Sequence, residues 1–324
     1  MVKLASAEMA EKKLATRAAF GATLAELAEE GVPVVAVDAD LTGSTTTKKF
    51  AAAAPENADK LFNCGIAEQN MIDVAAGLAL TGHVAYTGSF AVFGTGRAYD
   101  QIRNTVCYSN LDVKICPTHA GVSVGPDGGS HQMLEDVSLM RGLPNMRVLV
   151  PADYAAARAA IKLAAKTPGP VYVRMGRAAV PCVYDDDVEL ELGRAYVLRE
   201  GADATVVACG VEIREALAAA DALAAEDISI EVIDAFSVKP LDEDTITASV
   251  AKTGCCVVAE EHSVHGGLGS AVAECLARKN PAPCEFVGVE DRFGKSGEFE
   301  ELLGYFNLDA AAIVEAVKAA IARK

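Results

Sequence analysis

The sequence has no Cys-x-x-Cys pair, although nine cysteines are spread from Cys64 to Cys284. That removes zinc-finger and thioredoxin-type readings. Most of the thiols sit in apolar stretches such as Cys255-Cys256-Val257-Val258, so reduced, buried cysteines are expected. No apolar run approaches the ~18 residues of a membrane span. The opening Met1-Val2-Lys3 has no apolar signal-peptide core, and a cytoplasmic protein is expected. Positive charge is also scarce: 29 Lys and Arg stand against 45 Asp and Glu, a net charge of -16. Such a surface repels phosphate backbones, which argues against a nucleic-acid partner. An anionic small molecule remains feasible only where a few Arg and His residues gather against the global field.

What is present is apolar material in regular portions. Apolar residues make up 51% of the 324, enough for two cores at the usual domain size. Residues 8–29 read as one amphipathic helix ending at Gly31. Short apolar runs at Val32–Asp38, His83–Phe90, Val113–Thr118, Met146–Val150 and Val171–Met175 read as buried strands, with helical patterns at 69–81, 96–109, 134–141 and 153–166 between them. This alternation predicts βα units and a mainly parallel sheet. Pro181 to Glu191 is rich in Pro, Asp and Glu and has no helical face. The alternation then resumes, with strands at Thr205–Cys209, Ser229–Ile233, Cys255–Glu260 and Cys284–Val289 and helices at 212–226, 242–252, 268–279 and 309–323. The expectation is an α/β protein of two domains, 1–180 and 195–324, joined by a linker at 181–194.

Open parallel sheets bind ligands beyond the C-terminal ends of their strands. Three stretches there are more than simple turns, and a fourth is a weaker candidate. Asn63-Cys64-Gly65-Ile66-Ala67-Glu68-Gln69 leads into the 69–81 helix. A carboxylate at a helix start ordinarily complements the dipole, but Glu68 follows a segment too apolar for an exposed cap. Ser89-Phe90-Ala91-Val92-Phe93-Gly94-Thr95-Gly96 places two aromatics three apart before two glycines; read alone, they are core residues or one flat pocket wall. Thr118 to Gln132 is a long loop holding His119, Asp127, His131 and four glycines, in a chain with five histidines in all. Long loops in compact domains are usually functional. Glu260-Glu261-His262-Ser263-Val264-His265-Gly266-Gly267-Leu268-Gly269-Ser270 reads as a strand-to-helix turn, with metal or phosphate binding as the competing reading.

Taken in order, Cys64-Gly-Ile-Ala-Glu68-Gln69, Ser89-Phe90-x-x-Phe93, His119 to Gly125-x-Asp127-Gly-x-Ser-His131-Gln132 and Val148-x-Val-Pro151-Ala-Asp153 resemble the C-terminal half of the transketolase family. The resemblance runs over nearly the whole chain and is strongest from about residue 60 to 180. It implies a pyrimidine-binding domain followed by a Rossmann-like C-terminal domain, thiamine diphosphate as cofactor, and transfer of a two-carbon ketol unit between sugar phosphates, as in the pentose phosphate pathway. By the same resemblance Glu68 contacts the aminopyrimidine ring nitrogen and favours its imino tautomer, and Phe90 and Phe93 pack on the ring face. His119, Asp127 and His131 line the substrate channel, with His119 and His131 counted as catalytic, His131 acting on a substrate hydroxyl as acid or base and Asp127 accepting from the hydroxyl beside the reacting carbonyl. Arg17 and Arg174 are implied as anchors for a substrate phosphate.

Three departures from the family pattern stand out. Gly96 occupies the place of an aromatic, with Tyr99 further along, and Asp38 stands where a phosphate-binding Ser is common. The Gly-Asp-Gly motif that holds the diphosphate and its magnesium is absent. The resemblance therefore implies an N-terminal-half partner chain that supplies that motif and Mg2+, in an α2β2 assembly. Two relatives with the same cofactor compete with this reading: the beta subunit of a 2-oxo acid dehydrogenase and a deoxyxylulose-phosphate-synthase-like enzyme. The Phe-x-x-Phe spacing favours transketolase. A non-catalytic subunit is a third reading, against which the joint retention of Glu68, His119, Asp127 and His131 speaks.

Overall fold

The run Val34–Asp38 is buried at every position, and so is Val84–Gly88. Strands of this kind read as continuous apolar runs because helices cover both of their faces. In the computed structural model, which describes residues 2–324, they sit in a seven-stranded sheet. Its order is Ser237–Lys239, Arg147–Leu149, Val171–Val173, Val113–Ile115, Val84–Gly88, Val34–Asp38, Leu61–Asn63. All neighbours are parallel except the first pair. A second, five-stranded sheet runs Cys284–Val289, Cys256–Ser263, Ala204–Ala208, Ile230–Asp234, Tyr196–Arg199, again parallel but for the last strand. The protein is thus α/β, with two helix-flanked, mainly parallel sheets.

The helices begin where capping chemistry lets them. Asp153 accepts the Ala156 amide at 2.8 Å and opens Tyr154–Lys166. Its other oxygen accepts the Val183 and Tyr184 amides, tying the segment after the first sheet to that helix start. Asp242 and Asp309 cap Glu243–Thr253 and Ala310–Ile321 in the same way.

Several expectations need correction. The helix expected over 8–29 is Ala18–Glu29. Ahead of it, Lys13–Ala15 pairs antiparallel with Ala179–Pro181, so the extended Lys13-Leu14-Ala15 answers a strand about 165 residues away rather than its own helical periodicity. The helix expected over 96–109 is broken into wide-turn segments, Val92–Arg97 and Ile102–Cys107, around Tyr99–Gln101. Gly94 and Gly96 weaken the first of them, and Thr95 draws its hydroxyl proton to the Ala91 carbonyl at 2.6 Å. Short edge strands at Leu61–Asn63, Tyr196–Arg199 and Ser237–Lys239 lack the apolar runs of the central ones. Ser237–Lys239 comes from the second half of the chain yet completes the first sheet. No described helix is long and apolar enough to cross a membrane.

Candidate active site

Glu68 opens the helix Glu68–Leu80 just beyond the strand Leu61–Asn63, and is only 2% exposed. Both of its oxygens accept from Nη1 of Arg97, at 3.0 and 2.9 Å. Arg97 closes the wide-turn segment after Val84–Gly88, is half exposed, and lies over the Phe93 ring at 4.6 Å. Sequence reasoning did not single out Arg97; its position one turn beyond Phe93 was the available signal.

The aromatic residues form one wall. Phe90 and Phe93 stack at 6.1 Å between ring centres, 14° from parallel. His119, just beyond the strand Val113–Ile115, stacks on Phe90 at 3.7 Å, and His131 sets its edge against both phenylalanines. His119 is buried, holds a left-handed φ of 61°, and shares a hydrogen bond with the Thr118 hydroxyl at 2.8 Å. Burial, reinforced by Arg17, Arg177 and His131, lowers its pKa to about 3. At neutral pH His119 is therefore an uncharged donor and acceptor. His131 bonds the Ser130 hydroxyl at 2.9 Å and is partly exposed, as is Asp127 more fully.

Positive charge gathers at the rim of this wall. Arg17 donates to the Ser44 carbonyl at 2.8 Å and Arg177 to the Val124 carbonyl at 3.0 Å. Burial and then the neighbouring Arg177 charge lower the Arg17 pKa, with Asp127 partly offsetting them. Two half-buried guanidiniums that repel one another and keep spare donors concentrate positive charge here in an acidic protein.

The anchor role expected for Arg174 does not fit. It is 7% exposed and is held by Asp136 at 2.7 and 3.2 Å and by the Glu261 carbonyl at 2.9 Å. Burial disfavours its charge, yet Asp136 outweighs that and raises its pKa. Tyr172 donates to the same Asp136 at 2.5 Å. Tyr172 and Arg174 are two apart on an extended segment and so share the buried face, while Arg177 falls on the open side. Asp38 is likewise turned inward. It accepts the Leu41 amide at 2.7 Å and the Thr45 and Thr47 hydroxyls at 2.7 and 2.9 Å. Buried and spent on its own turn, Asp38 opposes no phosphate.

The Glu260–Ser270 stretch is a strand-to-helix turn. Glu260 accepts the Leu268 and Gly269 amides at 2.8 Å, capping the helix Leu268–Lys279. Among the described residues no group of three or more His, Cys, Asp or Glu is placed to hold a metal ion.

Comparison with known proteins identifies the two domains. Residues 12–183 match the family described as Transketolase, pyrimidine binding domain, and residues 193–313 that described as Transketolase, C-terminal domain. The chain is 42% identical to a 6-deoxy-6-sulfo-D-fructose transketolase subunit of Clostridium sp. (strain MSTE9), covering 93% of this chain and 92% of that one. It is 37% identical to the transketolase of Homo sapiens over 96% of this chain but 50% of the human protein. Among solved structures it is similar to a split gene transketolase described as an inactive beta4 tetramer, with 48% identity, a TM-score of 0.87, and 96% and 99% of the two chains covered. The chain belongs to the transketolase family, as a C-terminal-half section of the split kind that carries the pyrimidine-binding and C-terminal domains.

Proposed function

We propose that this chain is the C-terminal subunit of a thiamine-diphosphate-dependent transketolase, transferring a two-carbon ketol unit between sugar phosphates together with an N-terminal-half partner. The observation that carries the reading is the buried Glu68 carboxylate beside the flat Phe90–Phe93 wall, with His119 and His131 against the same wall. These residues fit the cofactor's aminopyrimidine: Glu68 would hold a ring nitrogen, and Phe90 and Phe93 would hold the ring face. When bound, the cofactor supplies the electron sink for breaking a carbon–carbon bond next to a carbonyl. The Glu68 carboxyl, 2% exposed, is kept out of water where it meets the ring. Arg97 bonds both Glu68 oxygens and covers one Phe93 face, so a flat ring that uses both groups displaces it.

His119, neutral at working pH, orients a substrate oxygen by hydrogen bonding without adding charge. His131, at the partly exposed edge, moves protons to and from a substrate hydroxyl. Asp127 accepts from a hydroxyl near the reacting carbonyl. Arg17 and Arg177 anchor the distant phosphate, the role first assigned to Arg174.

A partner is supported by the relatives of matching length, described as a transketolase subunit and as a split gene transketolase; the Gly-Asp-Gly that holds the diphosphate is not in this sequence. Mg2+ and the diphosphate then belong to the N-terminal-half chain, in an α2β2 assembly. Ile66, 78% exposed beside Glu68, is an apolar contact of the kind such a partner covers.

The test is to capture the tagged chain from its native lysate and assay chain and complex for transfer from xylulose 5-phosphate to ribose 5-phosphate, with and without thiamine diphosphate. Activity only in the complex with a chain of similar size supports the reading. Full activity of the chain alone sinks the need for a partner, and co-purification of a lipoyl enzyme moves the protein to the 2-oxo acid dehydrogenases.

A further inference from the structure

Glu261 comes from the second sheet, in the strand Cys256–Ser263, but its side chain ends in the first domain. Its Oε1 accepts the backbone amide of Ser123, inside the loop that carries His119 and His131. Gly121 has a φ of 80°, and a Cβ there would run into the Glu261 carboxyl. That close approach leaves room only for glycine. From the other side Arg174 donates to the Glu261 carbonyl at 2.9 Å and lies 3.8 Å from its carboxyl, while Asp136 fixes the guanidinium. A second tie joins the same loop to the same domain: Gln132 donates to the Lys295 carbonyl at 2.9 Å and to Val122 at 3.1 Å.

We propose that Glu261 is a positioning residue, which fixes the Gly121–Ser123 backbone and thereby gives the second domain control over where His119 and His131 stand. The catalytic consequence rests on this loop being the substrate loop; the contact itself is tested without turnover. The groups facing Glu261 are Arg174, Asp136 and Glu212, the last with both carboxyl oxygens buried and unpartnered. Burial raises the Glu261 pKa to about 7, against the pull of Arg174. Its folded value lies above the free one, so its stabilising contribution is complete below the ordinary carboxylate range and lost as pH rises through about 7. Burial also raises the Glu212 pKa well above the ordinary carboxylate value.

Hydrogen–deuterium exchange on the full chain reads the loop directly. Glu261→Ala removes the acceptor, and protection of the amides in 119–125 is expected to fall about ten- to a hundred-fold, with the helix Ala310–Ile321 unchanged. Glu261→Gln keeps an acceptor oxygen and restores protection. In the wild type, loop protection corrected for intrinsic exchange falls between pH 5.5 and 8, and Glu261→Gln abolishes that fall. Unchanged loop protection in Glu261→Ala overturns the proposal. If Glu261→Ala unfolds, the Gln variant decides: a pH dependence identical to the wild type overturns it. Should exchange behave as expected while no pairing of chains transfers ketol units, the positioning role stands and the transketolase reading falls.

Discussion

The loop after Val113–Ile115 and the turn after Cys256–Ser263 look alike on paper. Each lies at the end of a parallel strand, and each stretch, Thr118–Gln132 and Glu260–Ser270, holds two histidines, at least one carboxylate and several glycines. They differ in where their polar groups go. In the turn, Glu260 is consumed by two helix amides, and His262 accepts the Ser138 amide at 3.3 Å. In the loop, His131 sets its edge against the aromatic wall and Asp127 stands exposed. A site is recognised by polar groups left unspent around a cavity wall rather than by residue types in a row.

The sharpest way to break the comparison is at Glu68. In the reconstituted enzyme Glu68→Gln should lower kcat by about 10²–10⁴-fold with little change in the urea midpoint; retained turnover would remove Glu68 from the chemistry. Arg174→Ala should cost about 3–5 kcal/mol, because it strands the buried Asp136, and urea unfolding measures it. Arg177→Ala should instead leave stability nearly untouched and raise KM for the phosphorylated sugar roughly ten- to a hundred-fold. If the two variants exchange phenotypes, the assignment of the anion site reverts to Arg174. On the turn side, Glu260→Ala should cost about 1–2 kcal/mol of stability as a lost helix cap and leave KM and kcat unchanged in the surviving folded fraction.

The smallest effect concerns pH. The folded pKa of His119 lies below the free one, so its contribution to stability is present above the ordinary histidine range and lost as pH falls toward 3. Urea midpoints between pH 7 and 4.5 should therefore converge for wild type and His119→Gln. A constant difference would show that burial does not set the charge of His119.

The central strands were legible because both faces are buried, which writes hydrophobicity into every position from Val34 to Asp38 and from Val84 to Gly88. Edge strands such as Leu61–Asn63 are half solvated and carry no such signal. Helix ends were legible where an Asp caps them, as at Asp153, and not at residues 8–17, where the distant Ala179–Pro181 decides the conformation. Glu68, Phe90, Phe93, His119 and His131 were named before their contacts were known, through the order of their motifs. Arg97 and Arg177 were not, and Glu261 was read only as part of a turn, because their importance lies in pairings across 29 to 138 positions of chain that no local pattern records. Arg174 shows the converse: residue type suggested an open site, and its hydrogen bonds to Asp136 closed it.

The strand Ser237–Lys239 has a consequence for how the protein can be taken apart. It runs antiparallel along Arg147–Leu149 as the outermost member of the first sheet, although the chain has already entered the second domain. Cleavage anywhere in 182–195 would therefore yield two mutually incomplete fragments. One would bare the Arg147–Leu149 edge, an invitation to intermolecular strand pairing; the other would carry an orphaned three-residue strand. The first sheet is complete only while the second half of the chain stays attached to it.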